Sequence, residues 1–135
     1  MKNQRRDNSC SCDSDALEPN KFRPAQKPIV IIESPYAGDV KRNELYARRC
    51  MKDSLLRGEA PFISHLLYTQ VLDDTKPEER KMGMEAGFAF YRAADYSVVY
   101  QDYGISGGMK AGIEVAKSMG RKIEYREIGK NEVSV

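Results

Sequence analysis

The run Ile29-Val30-Ile31-Ile32, closed by Pro28 before it and Glu33-Ser34-Pro35 after it, constrains the fold more than any other segment. β-Branched side chains fit a pleated strand better than a helix, and a run apolar at every position has two faces to bury. Such a strand belongs inside a parallel sheet with helices on both sides. The following segments supply them. Asp39 is placed to cap a helix in which Val40, Ala47, Met51, Ser54 and Leu55 recur at helical spacing, up to a stop at Gly58. Pro61–Leu67 reads as a second short strand running into a loop. Pro77-Glu78-Glu79 opens another helix, with proline in its first turn and two carboxylates at the positive end of the dipole. Met82, Ala86, Ala89, Phe90 and Ala93 form the expected buried stripe of that helix.

Tyr96–Tyr100 is a third strand, and Gln101–Gly108 is a glycine-rich loop with Ser106 placed to cap the next helix. Met109, Ile113 and Ala116 line that helix and Gly120 ends it. Lys122–Arg126 is a last strand, expected at a sheet edge because alternate residues are charged. Strand and helix alternate with short connections, which predicts the α/β class: a small sandwich around a mainly parallel sheet of four or five strands.

A chain of 135 residues sets a prior of one domain. Residues 28–135 are expected to form it, with residues 1–27 as a disordered leader poor in side chains to bury. That leader carries six Lys/Arg and four Asp/Glu, the whole net +2, and leaves the body neutral. A neutral body without a basic stretch argues against nucleic acid as a partner. No apolar run nears the roughly 18 residues of a membrane span, so no membrane partner is expected. Three cysteines make no disulfide framework, which points to a cytoplasmic protein. Cys10 and Cys12 lack the further ligands of a metal site, and Cys50 falls where a small apolar residue is wanted. No metal or cofactor is expected.

In open parallel sheets ligands bind beyond the carboxyl ends of the strands, which selects three loops: Glu33–Asp39, Ser64–Asp74 and Gln101–Gly108. The first is either a Ser-Pro turn before a capping aspartate or a ligand loop. In the second case Tyr36 lies over a planar or sugar group, with Ser34 and the Gly38 turn beside it. The second loop holds the only histidine, His65, next to Ser64; it is either a hydrogen-bonded structural residue or a ligand contact. Asp73-Asp74 reads as solvated turn residues. The third loop is either an ordinary glycine-rich turn or a ligand loop in which Ser106, Gly107 and Gly108 allow close backbone approach and present free N–H groups, with Lys110 in the first turn of the helix. Asp102, directly after the strand, is its candidate carboxylate. Neither Gly-x-Gly-x-x-Gly nor a Walker sequence is present, so a standard dinucleotide or P-loop site is disfavoured.

The order of these segments resembles the nucleoside 2-deoxyribosyltransferase superfamily with its deoxynucleotide N-hydrolase branch, and most nearly its short phage-type relatives. The carriers are Ile29–Asp39, Ser64-His65, Glu79-Arg80, Ala94-Asp95 ahead of Ser97–Tyr100, and Gly104–Glu114, over about residues 28–128. The resemblance implies a three-layer Rossmann-like, flavodoxin-type sandwich, a homo-oligomer, and a site for a nucleoside or nucleotide. It also implies N-glycosidase or deoxyribosyltransferase chemistry, in which a glutamate on the last helix works at the sugar C1′. Tyr36 matches the first-loop aromatic, and Asp102 stands as a further carboxylate. The sequence departs from the pattern at that glutamate: Lys110 or Gly112 holds the place, and Glu114 lies one turn further in. Glu33, which also ends a strand at this rim, is the alternative carboxylate. The expected function is binding of a (deoxy)nucleoside 5′-monophosphate, with cleavage or transfer of its N-glycosidic bond. The alternative is a non-catalytic phage protein that sequesters or senses a nucleotide-derived ligand.

Overall fold

Ile29–Glu33 forms β1, with Val30, Ile31 and Ile32 all shielded from solvent. A computed structural model describes residues 26–130; the leader expected over residues 1–27, including Cys10 and Cys12, falls outside it apart from its last two positions. After β1 come α1 (Val40–Leu56), β2 (Ala60–Phe62), α2 (Ser64–Leu67), α3 (Pro77–Ala89), β3 (Tyr96–Tyr100), α4 (Gly107–Ser118) and β4 (Lys122–Arg126). Short 3-10 turns cover Tyr68–Gln70 and Tyr91–Ala93. All pairings in the sheet are parallel, in the order β2-β1-β3-β4. The chain is therefore an α/β fold with a four-stranded parallel sheet flanked by helices, a Rossmann-like three-layer arrangement. The order reverses between β1 and β3, which creates a switch point at their carboxyl ends.

Period-two alternation along β1 sorts the core. Val30 and Ile32 pack with Tyr46 and Cys50 of α1 and with Val98 and Tyr100 of β3. Ile31 faces the other way, to Tyr91, Ala94 and Ala116, and Val99 joins Met109 and Ile113 of α4 on that same side. Caps fall where expected: Asp39 accepts from the Arg42 amide at 3.1 Å, and Ser106 Oγ from the Met109 amide at 3.3 Å. Gly58 and Gly120, at φ +89° and +70°, end α1 and α4 in a backbone region that other residues seldom enter.

Three details differ from the sequence expectations. In α1, Val40 and Leu55 are exposed, and Asn43, Tyr46, Ala47, Cys50 and Ser54 are the buried positions. Ser64–Leu67 is a helical turn rather than the tail of β2. The largest difference is α3: Met82 is 57% and Phe90 45% exposed, and Gly87 is its one buried residue. A Cβ on Gly87 would stand 2.8 Å from Ser64 Cβ, so α3 seats its backbone against α2 instead of driving a row of side chains into the sheet.

β4 lies at an edge as expected, but its last charge does not face water. Arg126 forms a two-pronged ion pair with Glu59, Nη2 to Oε2 at 2.6 Å and Nη1 to Oε1 at 2.9 Å, both residues buried. Tyr96 and Ser54 also donate to Glu59, and Arg126 Nη1 lies 3.1 Å from the Tyr100 hydroxyl. The hydrogen bonds from Arg126, outweighing burial, bring Glu59 down to about 2. Without Glu59 the buried guanidinium keeps only the half-exposed Glu124 carboxylate, 2.7 Å from Nη2, and the Tyr100 hydroxyl. Glu59→Ala is therefore expected to lose about 3 kcal/mol, the low end for a broken buried pair. Replacing both, as in Glu59→Leu with Arg126→Met, is expected to cost clearly less. Urea unfolding of the three proteins at neutral pH checks this, and a single variant no weaker than the double would contradict it.

Candidate functional site

At the switch point the loops after β1 and β3, the α2 turn and the inner face of α3 enclose one cavity of about 220 Å3. Of the residues singled out in the sequence, Glu33, Ser34, Tyr36, Ser64 and His65 line it, and Ser106, Gly107 and Gly108 close it at the start of α4. The three loops thus meet.

The first loop is held from below by Asn43, whose buried side-chain amide donates to the carbonyls of Tyr36 and Ala37 at 2.9 and 3.1 Å. This leaves the Tyr36 ring facing the cavity beside His65, with ring centres 5.6 Å apart and tilted by 58°. Ser34 Oγ lies 3.1 Å from His65 Nε2. Burial pulls His65 down to about 4, so the ring is neutral near pH 7. It serves there as a neutral hydrogen-bonding wall.

Glu33 is only 8% exposed. Alternation places it on the same side of β1 as Ile31, under α4, where the hydroxyl of Tyr91 donates to Oε2. Burial raises Glu33 to about 7, and the Tyr91 hydrogen bond only partly offsets that rise. Burial, followed by the proximity of Glu33, pushes the Tyr91 hydroxyl far above its ordinary range, so it stays protonated and can donate. A carboxyl balanced near neutrality in a cavity wall can give up or take a proton there.

Three expected site residues stand elsewhere. Asp102 is occupied: it accepts from Tyr46 Oη at 2.5 Å and from the amides of Ile128 and Gly129. Those donors together overcome burial and hold its carboxyl low, so Asp102 anchors the segment after β4 instead of facing a ligand. Lys110 is exposed, because the face of α4 turned to the sheet is Met109, Gly112, Ile113 and Ala116. Gly38, at φ +97°, shapes the turn but does not line the cavity.

The sequence reading passed over the wall supplied by α3. Arg80, Met84 and Phe88 recur every fourth residue and, with Tyr91 just beyond the helix, turn one stripe to the cavity. The signal was present in that spacing and in Gly83 and Gly87 beside it. The apolar residues on the opposite face outweighed it. Asp74, read as a solvated turn residue, lines the cavity and pairs with Arg80 at 2.9 Å. The guanidinium lies 3.6 Å from where a Cβ on Gly108 would stand, beside the first turn of α4. That turn carries intrinsically unpaired amides, so a cation and a helix start meet at one corner. Among the described residues no group of three His, Cys, Asp or Glu is arranged to hold a metal ion, and no helix is long and apolar enough to cross a membrane.

Residues 28–126 match the model of a protein family described as Domain of unknown function (DUF7768). No curated protein matches the chain.

The raised Glu33 value gives a pH test independent of any ligand. A carboxyl higher in the folded than in the unfolded state leaves stability intact below about 4.5 and weakens it as pH rises towards 7. Glu33→Gln removes that penalty. The variant is expected to match the wild type near pH 4 and to exceed it by about 3 kcal/mol at pH 8. Denaturant titrations at the two pH values check the difference; a constant offset would refute the burial account of Glu33.

Proposed function

The chain belongs to the DUF7768 family, and we propose that this member binds a nucleotide- or nucleoside-like ligand in the rim cavity and cleaves or transfers its N-glycosidic bond. One observation carries this reading: a buried carboxyl, Glu33, stands in the same wall system as the Tyr36 ring and the opening turn of α4. Breaking an N-glycosidic bond builds positive charge at C1′ of the sugar, and a carboxylate in a site poor in water complements that charge. With a value near 7, Glu33 is present in both forms at neutral pH. The neutral form gives its proton to the departing base as the C1′–N bond breaks, and the carboxylate this leaves faces the cationic centre. In hydrolysis a water oxygen then bonds C1′ and its released proton returns to Glu33, so the net transfer is of one proton from water to the base.

The remaining walls suit the rest of such a molecule. The amides opening α4, with Arg80 beside them, favour a phosphate, which would compete with Asp74 for the guanidinium. Tyr36 offers a ring face to the sugar or base. About 220 Å3 lies below the roughly 300–1,000 Å3 usual for small-molecule pockets, and so favours a mononucleotide over a dinucleotide. The resemblance to the deoxyribosyltransferase superfamily supports the same chemistry. Its missing helix glutamate is answered by Glu33, whose carboxyl occupies the space beside Gly112.

Incubation with ribo- and deoxynucleoside 5′-monophosphates, followed by chromatography, is expected to release free base from at least one of them. Glu33→Gln is expected to abolish release while the same nucleotide still raises the melting temperature. Arg80→Ala is expected to weaken the monophosphate about tenfold, the worth of one charge-assisted hydrogen bond, and the bare nucleoside far less. Absence of both base release and thermal shift across the panel would overturn the reading. A shift with the ligand recovered intact would leave the binding half standing and remove the cleavage.

A further inference from the structure

We infer that Gly112 and Tyr91 are positioning residues for Glu33: Gly112 vacates the volume its carboxyl fills, and Tyr91 holds the carboxyl there by a hydrogen bond. Their role in a reaction rests on the function proposed above; the steric relation beneath it does not.

Gly112 lies inside α4, on the buried face that also carries Met109, Ile113 and Ala116. A glycine in such a place weakens a helix by about 1 kcal/mol relative to alanine, and its φ is not one that demands glycine. The neighbour supplies the reason. A Cβ on residue 112 would stand 2.5 Å from the carboxyl carbon and Oε1 of Glu33, and closer still to Oε2. Carbon atoms do not approach so near without something giving way.

Little can give. Glu33 is the last residue of β1 and sits in register with Val99 of β3, so its backbone is fixed by the ladder. Its side chain is nine-tenths buried, with the Tyr91 hydroxyl on Oε2. A side chain at 112 and the Glu33 carboxyl therefore compete for one volume, and the glycine decides the contest for β1. Tyr91 comes from the turn after α3, so three separate elements converge on this one group. Other titratable or charged groups lining the same cavity are Tyr36, His65, Asp74 and Arg80, and the last two are already paired.

Variants of the full chain test this without any ligand. Gly112→Ala is expected to lower the melting temperature, against the usual gain of alanine in a helix. In the Glu33→Ala background the same replacement is expected to raise it. Carbon NMR of protein labelled at the glutamate carboxyl should show Glu33 titrating near 7, with Tyr91→Phe moving that midpoint up by about one unit as the donor to the carboxylate is lost. Equal stabilisation by Gly112→Ala in both backgrounds, or a Glu33 midpoint unmoved by Tyr91→Phe, would overturn the inference. If Gly112→Ala does not fold, the double variant decides: folding regained supports the shared volume, and folding not regained refutes it. A wild type that neither releases base nor shifts in melting temperature with any nucleotide defeats the proposed function and leaves these measurements unaffected.

Discussion

Burial of β1 on both faces is the constraint from which the molecule follows. Val30 and Ile32 require a layer on one side and Ile31 requires one on the other, so α1 covers the first and α4 with the Tyr91–Ala93 turn covers the second. β2 and β3 then flank β1 in parallel and all the strands end at one rim. The reversal of strand order beside β1 opens the only kind of gap such a sheet leaves for a ligand. The same alternation that buries Ile31 delivers Glu33, two residues on, beneath α4. A polar group at that position is forced into the cavity wall rather than into solvent.

The chemistry then depends on how the fold surrounds like groups. Three carboxyls at element ends, Glu33, Glu59 and Asp102, meet three environments. Glu59 faces a guanidinium in two-pronged contact, and the attraction outweighs burial. Asp102 collects a phenol and two backbone amides and stays low as well. Both are consumed as fasteners, one joining the residue before β2 to the last residue of β4, the other tying down the chain after β4. Glu33 receives one hydroxyl and no cation, so burial wins and its value rises. Only this third carboxyl retains the freedom to exchange a proton near neutral pH, and only this one opens on the cavity.

Much of the frame was legible along the chain because its signals are local. Asp39 and Ser106 as caps, Gly58 and Gly120 as stops, and Tyr96–Tyr100 and Lys122–Arg126 as strands all depend on neighbours within a few residues. The convergence of Tyr36, His65 and Ser106 was legible too, given the rule for parallel sheets. The α3 stripe was misread because its apolar residues, Met82 and Phe90 among them, lie on the outer face, while the inner face is built from Arg80, two glycines and Met84. Hydrophobic spacing reports burial only when side chains make the contact. Here the backbone at Gly87 makes it, against Ser64.

The sequence by itself determined the alternation of elements, the doubly buried strand and the set of loops that share a rim, since each follows from residue spacing and capping within a short window. Tertiary structure alone decided which polar groups reach the rim free. Glu33 ends β1 and Asp102 stands two residues past β3, both at the same rim, and no local pattern separates them. Their fates differ because Tyr46 and Ile128 lie beside one, while Tyr91 and the empty side of Gly112 lie beside the other, at separations of tens of residues along the chain.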